Sequence, residues 1–159
     1  MKLSNYIIKF FAEHGITDIY GYPGGCINHL IDSAFRDGRV KAHLSYNEQG
    51  AAFAACGYAQ KSGNVGAAYS TSGPGAVNLA QGIASAYFDY IPVIFITGNV
   101  DSDAERGNMN LRQRGFQETD IVSLYSGITK KTIHVSKPED IKYWLEYAYF
   151  TVLGGGMVL

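Results

Sequence analysis

Apolar positions in this chain switch between two spacings, and the switches outline alternating helices and strands. Tyr6, Ile7, Phe10 and Phe11 recur at helical spacing behind Ser4, which is placed to cap a helix that His14-Gly15 closes. Asp18-Ile19-Tyr20 then reads as a short strand, Cys26 to Phe35 as a helix, Lys41 to Leu44 as a strand and Glu48 to Lys61 as a helix. Val65 to Ser70 predicts the next strand and Ala76 to Ala86 the next helix. Pro92 to Thr97 is apolar without alternation, the pattern of a strand buried on both faces. Repeated strand-then-helix units of this length predict a doubly wound α/β domain, a mostly parallel sheet with helices on both faces.

The regular pattern lapses after Gly98. Asn99 to Arg114 is polar, with Asp101, Asp103, Glu105, Arg106, Arg112 and Arg114, and a loop this long in a compact domain is functional or mobile as a rule. A short helix from Glu118 to Tyr125, a strand near Lys131 to Val135 and a helix from Pro138 to about Val152 follow. Ser136 is placed to cap that helix, with Glu139 completing a capping box. Gly154-Gly155-Gly156-Met157-Val158-Leu159 reads as a Gly-rich turn and the first residues of another buried strand. The expectation is therefore one domain, residues 1–159, truncated within its last strand as a fragment of a longer polypeptide.

Composition narrows the function classes. The 159 residues are 47% hydrophobic, enough for one domain with a sizeable core and no covalent staples. Thirteen Lys and Arg against fourteen Asp and Glu give a formal charge of −1, with no basic run to follow a phosphate backbone, which argues against nucleic acid. No apolar stretch approaches the roughly 18 residues needed to span a bilayer, and Met1-Lys2-Leu3-Ser4 lacks a signal peptide's apolar core, so no membrane contact and a cytoplasmic location are expected. Cys26 and Cys56 suit small buried or site-lining thiols better than a disulfide in a reducing compartment. His14, His29, His43 and His134 have no spacing that joins two of them into a metal pair, and no metal is assigned. Tyr143, Trp144, Tyr147, Tyr149 and Phe150 on the last helix are expected to pack against the sheet or another subunit.

Three strand-end turns carry the candidate chemistry, and in this fold all three converge at one sheet edge. Tyr20-Gly21-Tyr22-Pro23-Gly24-Gly25-Cys26 opens a helix with free backbone N–H groups at its positive end, able to donate to an oxygen that becomes negative. Ser45-Tyr46-Asn47-Glu48-Gln49-Gly50-Ala51-Ala52 places the Glu48 carboxylate where a strand ends and a small-residue helix begins. Thr71-Ser72-Gly73-Pro74-Gly75-Ala76-Val77-Asn78 again bridges strand and helix, its glycines permitting tight φ values. Taken singly, each turn is as readily a plain connector, and a lone Glu at a helix start stabilises the helix dipole by about 0.3–1 kcal/mol.

The motifs together say more. Gly21-Tyr22-Pro23-Gly24-Gly25, Asn47-Glu48-Gln49-Gly50-Ala51-Ala52, Thr71-Ser72-Gly73-Pro74-Gly75, Ile96-Thr97-Gly98 and Phe116-Gln117-Glu118-Thr119-Asp120-Ile121-Val122, in that order, resemble the N-terminal, pyrimidine-binding domain of thiamine diphosphate enzymes. The best match is the acetolactate (acetohydroxyacid) synthase branch, and the resemblance runs from about Tyr6 to Leu159.

That resemblance implies a pyrimidine-domain fold and a division of labour. Glu48 would hydrogen-bond N1′ of the aminopyrimidine and favour the tautomer that removes the thiazolium C2 proton, a positioned carboxyl group acting as acid and base while the carbanion chemistry belongs to the cofactor. Tyr22, Pro23, Gly25 and Cys26 would face the reacting C2 from the neighbouring subunit's side, with the Gly25 N–H an oxyanion donor worth about 2.7–4 kcal/mol. Pro74 and Asn78 would lie near the pyrimidine end, unless they only shape the turn, and Gln117 would line the substrate region. Cys26 stands where the synthases commonly have a small apolar residue, and Leu111-Arg112-Gln113-Arg114-Gly115 departs from their usual sequence, which leaves the substrate open. In the family a second domain holds the diphosphate and Mg²⁺ with a Gly-Asp-Gly run and a downstream Asn, and no such run occurs in this sequence.

The resemblance therefore implies half a site: thiamine diphosphate shared with a diphosphate-binding domain of the same longer polypeptide or of a partner subunit, in a homodimer or tetramer acting on a 2-keto acid such as pyruvate. The chain alone would be inactive. Two further readings stay open, a related thiamine diphosphate lyase or decarboxylase subunit and a noncatalytic α/β dimerisation or ligand-binding module. The noncatalytic module would have no need of Glu48 or its flanking glycines.

Overall fold

A computed structural model describes residues 1–154. Helix α1 (Leu3–Glu13) precedes β1 (Asp18–Gly21), and a single turn of 3-10 helix, Gly25–Ile27, leads into α2 (Asn28–Asp37). Then come β2 (Lys41–Leu44), α3 (Glu48–Ser62), β3 (Gly66–Ser70), α4 (Pro74–Val77), α5 (Ala80–Phe88), β4 (Val93–Thr97), α6 (Ile121–Tyr125) and α7 (Ile141–Leu153). The four strands are parallel in the order β2-β1-β3-β4.

Alternation along the strands splits the interior into two cores, as a doubly wound sheet requires. Ile19, Ala67, Tyr69 and Ile94 face one side, where Ile7, Ile8, Phe10 and Phe11 of α1, Leu30 and Ala34 of α2 and Leu145, Ala148 and Val152 of α7 cover them. Ala68, Val93 and Phe95 face the other, against Ala52, Ala55, Cys56 and Ala59 of α3, Ile83 and Ala86 of α5 and Tyr125 of α6. The central β3 is buried at all five positions, whereas β2 lies at the sheet's edge with three of its four residues exposed.

Alanine and glycine let α3 approach closely. A Cβ added at Gly66 would sit 2.3 Å from the Ala55 carbonyl oxygen, and one at Gly82 2.2 Å from the Ala52 Cβ. Asn47 caps α3, its side chain accepting from the Gly50 N–H at 2.7 Å. Of the α7 aromatics, Tyr149 packs on protein, meeting Phe10 and His14 of α1 edge-on, whereas Tyr143, Tyr147 and Phe150 are exposed.

Several boundaries differ from the sequence expectation. Ser4 lies inside α1 rather than capping it, because its hydroxyl accepts from Ser33 Oγ of α2 at 2.8 Å. The helix expected from Ala76 to Ala86 is two helices meeting at Asn78-Leu79, and that expected from Glu118 begins only at Ile121, where Asp120 accepts from the Ser123 N–H. Residues 131–135 form no strand: only Lys131 makes a single bridge, and Ile133 instead packs on the first core. Among the described residues this segment has no ladder to join. Ser136 caps nothing, since Lys137 precedes a 3-10 turn, Pro138–Asp140, that enters α7 without a side-chain cap. The strand start expected at Met157 to Leu159 lies outside the described residues. Among the described residues no helix is long and apolar enough to cross a membrane.

Candidate functional site

The turns after β1 and β3 and the start of α3 meet at the carboxyl ends of the strands, where open parallel sheets bind ligands. Glu48 is the first residue of α3 and only 9% exposed. Asn78, at the C-cap of α4, donates from Nδ2 to Glu48 Oε2 at 2.8 Å. The other oxygen, Oε1, accepts no hydrogen bond among the described residues and faces Gly75, where an added Cβ would lie 3.0 Å away. Glu48, Gln49, Pro74, Gly75, Val77, Asn78, Ala80 and Gln81 line an opening of about 540 Å³. Gln49 also donates to Gln81 across this opening, from α3 to α5.

The glycines here serve two different purposes. Gly73 adopts φ +60°, the left-handed region, directly before Pro74 starts α4. Gly75 and Gly24 need space instead, since a Cβ at either would collide with the Thr71 side chain, at 2.8 Å from its Cγ2 and 2.5 Å from its Cβ respectively. The expectation of unusual φ values thus holds at Gly73 alone within this turn.

Thr71 joins the β1 turn to this centre. Its hydroxyl accepts from the Cys26 N–H at 3.4 Å, and Ser72 Oγ donates to Cys26 Sγ at 3.3 Å. Tyr22, Pro23, Gly25 and Cys26 are all exposed, and the side of Gly25 that a Cβ would occupy is open for at least 4 Å. These four residues do not line the opening beside Glu48; they form the flank on the far side of Thr71. Gln117, just past the long loop, does not line that opening; it lies at its margin in the left-handed region at φ +59°, with its Cβ and carbonyl against Gly73.

Both cysteines are free. Cys56 is buried, donates to the Gly82 carbonyl at 3.7 Å, and burial pushes its thiol up to about 11, so it is a packing residue. Three of the four histidines are committed elsewhere: His14 Nδ1 lies 2.8 Å from the Phe10 carbonyl, while His43 Nε2 pairs with Asp18 at 2.6 Å and His134 Nε2 with Glu105 at 3.1 Å; His29 is exposed on α2. Among the described residues no three His, Cys, Asp or Glu side chains gather as a metal site.

Thr71, Gly75 and Gln81 belong to the centre and were not singled out from sequence. Thr71 and Gly75 lie in a recognised motif, yet their part is steric and depends on which turn packs against which. A carboxylate held at one oxygen, shielded from water and open at the other beside a Cβ-free wall fits the edge of a flat heterocycle carrying a hydrogen-bonding ring nitrogen. The group that the resemblance implies therefore fits the residues present.

Residues 1–124 match the family described as thiamine pyrophosphate enzyme, N-terminal TPP binding domain. The chain is 39% identical over 152 residues to an acetolactate synthase of Arthrospira platensis, which covers 94% of this chain and 25% of that protein. It is 42% identical over 141 residues to a probable acetolactate synthase large subunit of Methanocaldococcus jannaschii, covering 89% and 23%. It is 36% identical over 155 residues to the acetolactate synthase isozyme 2 large subunit of Escherichia coli, covering 98% and 27%. The chain thus spans about a quarter of the length of the curated relatives it matches.

Proposed function

The chain belongs to the thiamine pyrophosphate enzymes, whose N-terminal TPP-binding domain it carries, and on that premise we propose that it forms the pyrimidine-binding half of an acetolactate synthase-like enzyme that decarboxylates a 2-keto acid and transfers the resulting acyl unit. The observation that supports this most is the state of Glu48: nearly buried, held at Oε2 by Asn78 and open at Oε1 toward Gly75.

Glu48, Pro74, Gly75 and Asn78 would hold the aminopyrimidine end of thiamine diphosphate, with Oε1 exchanging a proton with the ring nitrogen it faces. Asn78 fixes which oxygen is free. The bound cofactor supplies the electron sink for decarboxylation and carbon–carbon bond formation. On the other flank the Gly25 N–H is a donor for a developing oxyanion, with Tyr22, Pro23 and Cys26 beside it, and Gln117 approaches the 2-keto acid from the long loop.

The remaining half of the site belongs to a diphosphate-binding domain that would hold Mg²⁺, in the same longer polypeptide or a partner subunit. Assembly at least as a dimer, in the cytoplasm, completes the reading. It is tested by adding pyruvate to the full-length protein with and without thiamine diphosphate and Mg²⁺. Cofactor-dependent release of CO₂ is expected from pyruvate or a related 2-keto acid. Tight cofactor binding with no decarboxylation across a 2-keto acid panel would overturn it.

A further inference from the structure

Backbone N–H groups from two distant stretches of the long loop converge on one carboxylate. Glu118 Oε1 accepts from Arg106 N at 2.8 Å, while Oε2 accepts from Arg114 N at 2.9 Å and Gly115 N at 3.4 Å. Both ends of the 106–115 segment are tied together by this residue, in the manner of compact surface loops whose termini lie close. Within the loop, Arg106 Nη1 donates to the Leu111 and Arg112 carbonyls, and Arg114 Nη1 reaches the Glu105 carbonyl. The N–H groups of Arg114 and Arg106 lower the pKa of Glu118, since they bind its ionised form.

Gln117 is the residue adjoining this clasp. Its left-handed conformation is one that a residue with a side chain keeps only where its surroundings determine it. The packing is tight, because a Cβ at Gly73 would lie 2.6 Å from both the Cβ and the carbonyl oxygen of Gln117. Gly73 in turn opens the α4 turn that carries Gly75 to Glu48.

We propose that Glu118 is a positioning residue: its carboxylate clasps the 106–115 loop and thereby holds Gln117 against Gly73 at the margin of the Glu48 centre. Only an ionised carboxylate accepts from all three N–H groups at once. A glutamine in its place would turn an NH₂ toward backbone N–H groups, and an aspartate would be one methylene too short to span both ends of the loop. The action of Gln117 on a 2-keto acid rests on the function proposed above, whereas the clasp does not.

The test compares E118Q, Q117A and the double variant in the full-length protein with thiamine diphosphate bound. E118Q is expected to speed amide hydrogen exchange at Arg106, Arg114 and Gly115, and to lower kcat/KM for the 2-keto acid by roughly 10- to 100-fold, the scale of a positioning defect. Added to Q117A it should cost little more, since the two residues act as one unit. Unchanged amide exchange in E118Q, or losses that multiply in the double variant, would overturn the proposal. If the wild-type protein turns over no 2-keto acid, the functional reading has failed, and a crystal structure of E118Q then decides the clasp. A Gln117 released from the left-handed region supports it, and one unchanged against Gly73 refutes it.

Discussion

Asn78 donates from Nδ2 to Glu48 Oε2 at 2.8 Å, so the end of one short helix fixes the only nearly buried carboxylate among the described residues. Replacing Asn78 by Ala removes a hydrogen bond to a charged acceptor. Because Asn78 is itself exposed and water can enter, the loss lies at the low end of the range for such bonds, about tenfold in kcat. The melting temperature should move little. Steady-state kinetics and calorimetric unfolding on the same full-length variant check both halves of this expectation.

Gly82 marks the closest approach of α5 to α3. Gly82→Ala places a methyl 2.2 Å from the Ala52 Cβ and 3.1 Å from the Ala52 carbonyl carbon, forcing two packed helices apart. A cost of about 1–3 kcal/mol is expected, as for overpacked cores generally. Gly127→Ala meets nothing within 4 Å and serves as the control, with stability unchanged to about 0.5 kcal/mol. Urea denaturation of the two variants gives the comparison directly.

Tyr125 ties α6 to the turn beneath Glu48. Its hydroxyl is placed against the Ala76 and Val77 carbonyls at 2.7 and 2.9 Å, and the side chain is fully buried. Tyr125→Phe removes one hydrogen bond, since the Ala76 carbonyl keeps the Leu79 N–H and Val77 is exposed, and should destabilise the fold by about 0.5–1.5 kcal/mol. Burial raises the phenol pKa from 10.0 to about 12. The folded state favours the neutral form, so this contribution is intact below pH 10 and is lost as pH rises from there through 12. Stability measured between pH 9 and 12 should fall less steeply for the Phe variant.

The alternation of helix and strand was legible because the two-sided burial of β3 and β4 and the spacing of Phe10 and Phe11 are local patterns. The five ordered motifs made the centre legible too, and Glu48, Pro74 and Asn78 do lie around one opening. What sequence could not supply was packing between segments. Thr71 matters because Gly24 and Gly75 close on it from two sides, and Gly75 matters for space rather than for φ. Helix α6 starts late because Gln117 is left-handed and Glu118 binds the loop behind it. Ser4 and Ser136 carry good capping identities, but Ser4 is engaged by Ser33 and Ser136 lies ahead of a 3-10 turn. The Lys131–Val135 pattern suits a strand, yet strand formation depends on a neighbour to pair with, which no local pattern encodes.

The central claim is that Glu48 activates a bound thiamine diphosphate through the oxygen it leaves free. The most direct measurement is the rate of C2–H exchange with deuterium in cofactor bound to the full-length protein, wild type against Glu48→Gln. The amide keeps the size of the side chain and the fold but cannot exchange a proton as the carboxyl group does. A fall of at least about 100-fold in exchange, with the cofactor still bound, is the predicted result. Exchange at the wild-type rate in the Gln variant would contradict the account.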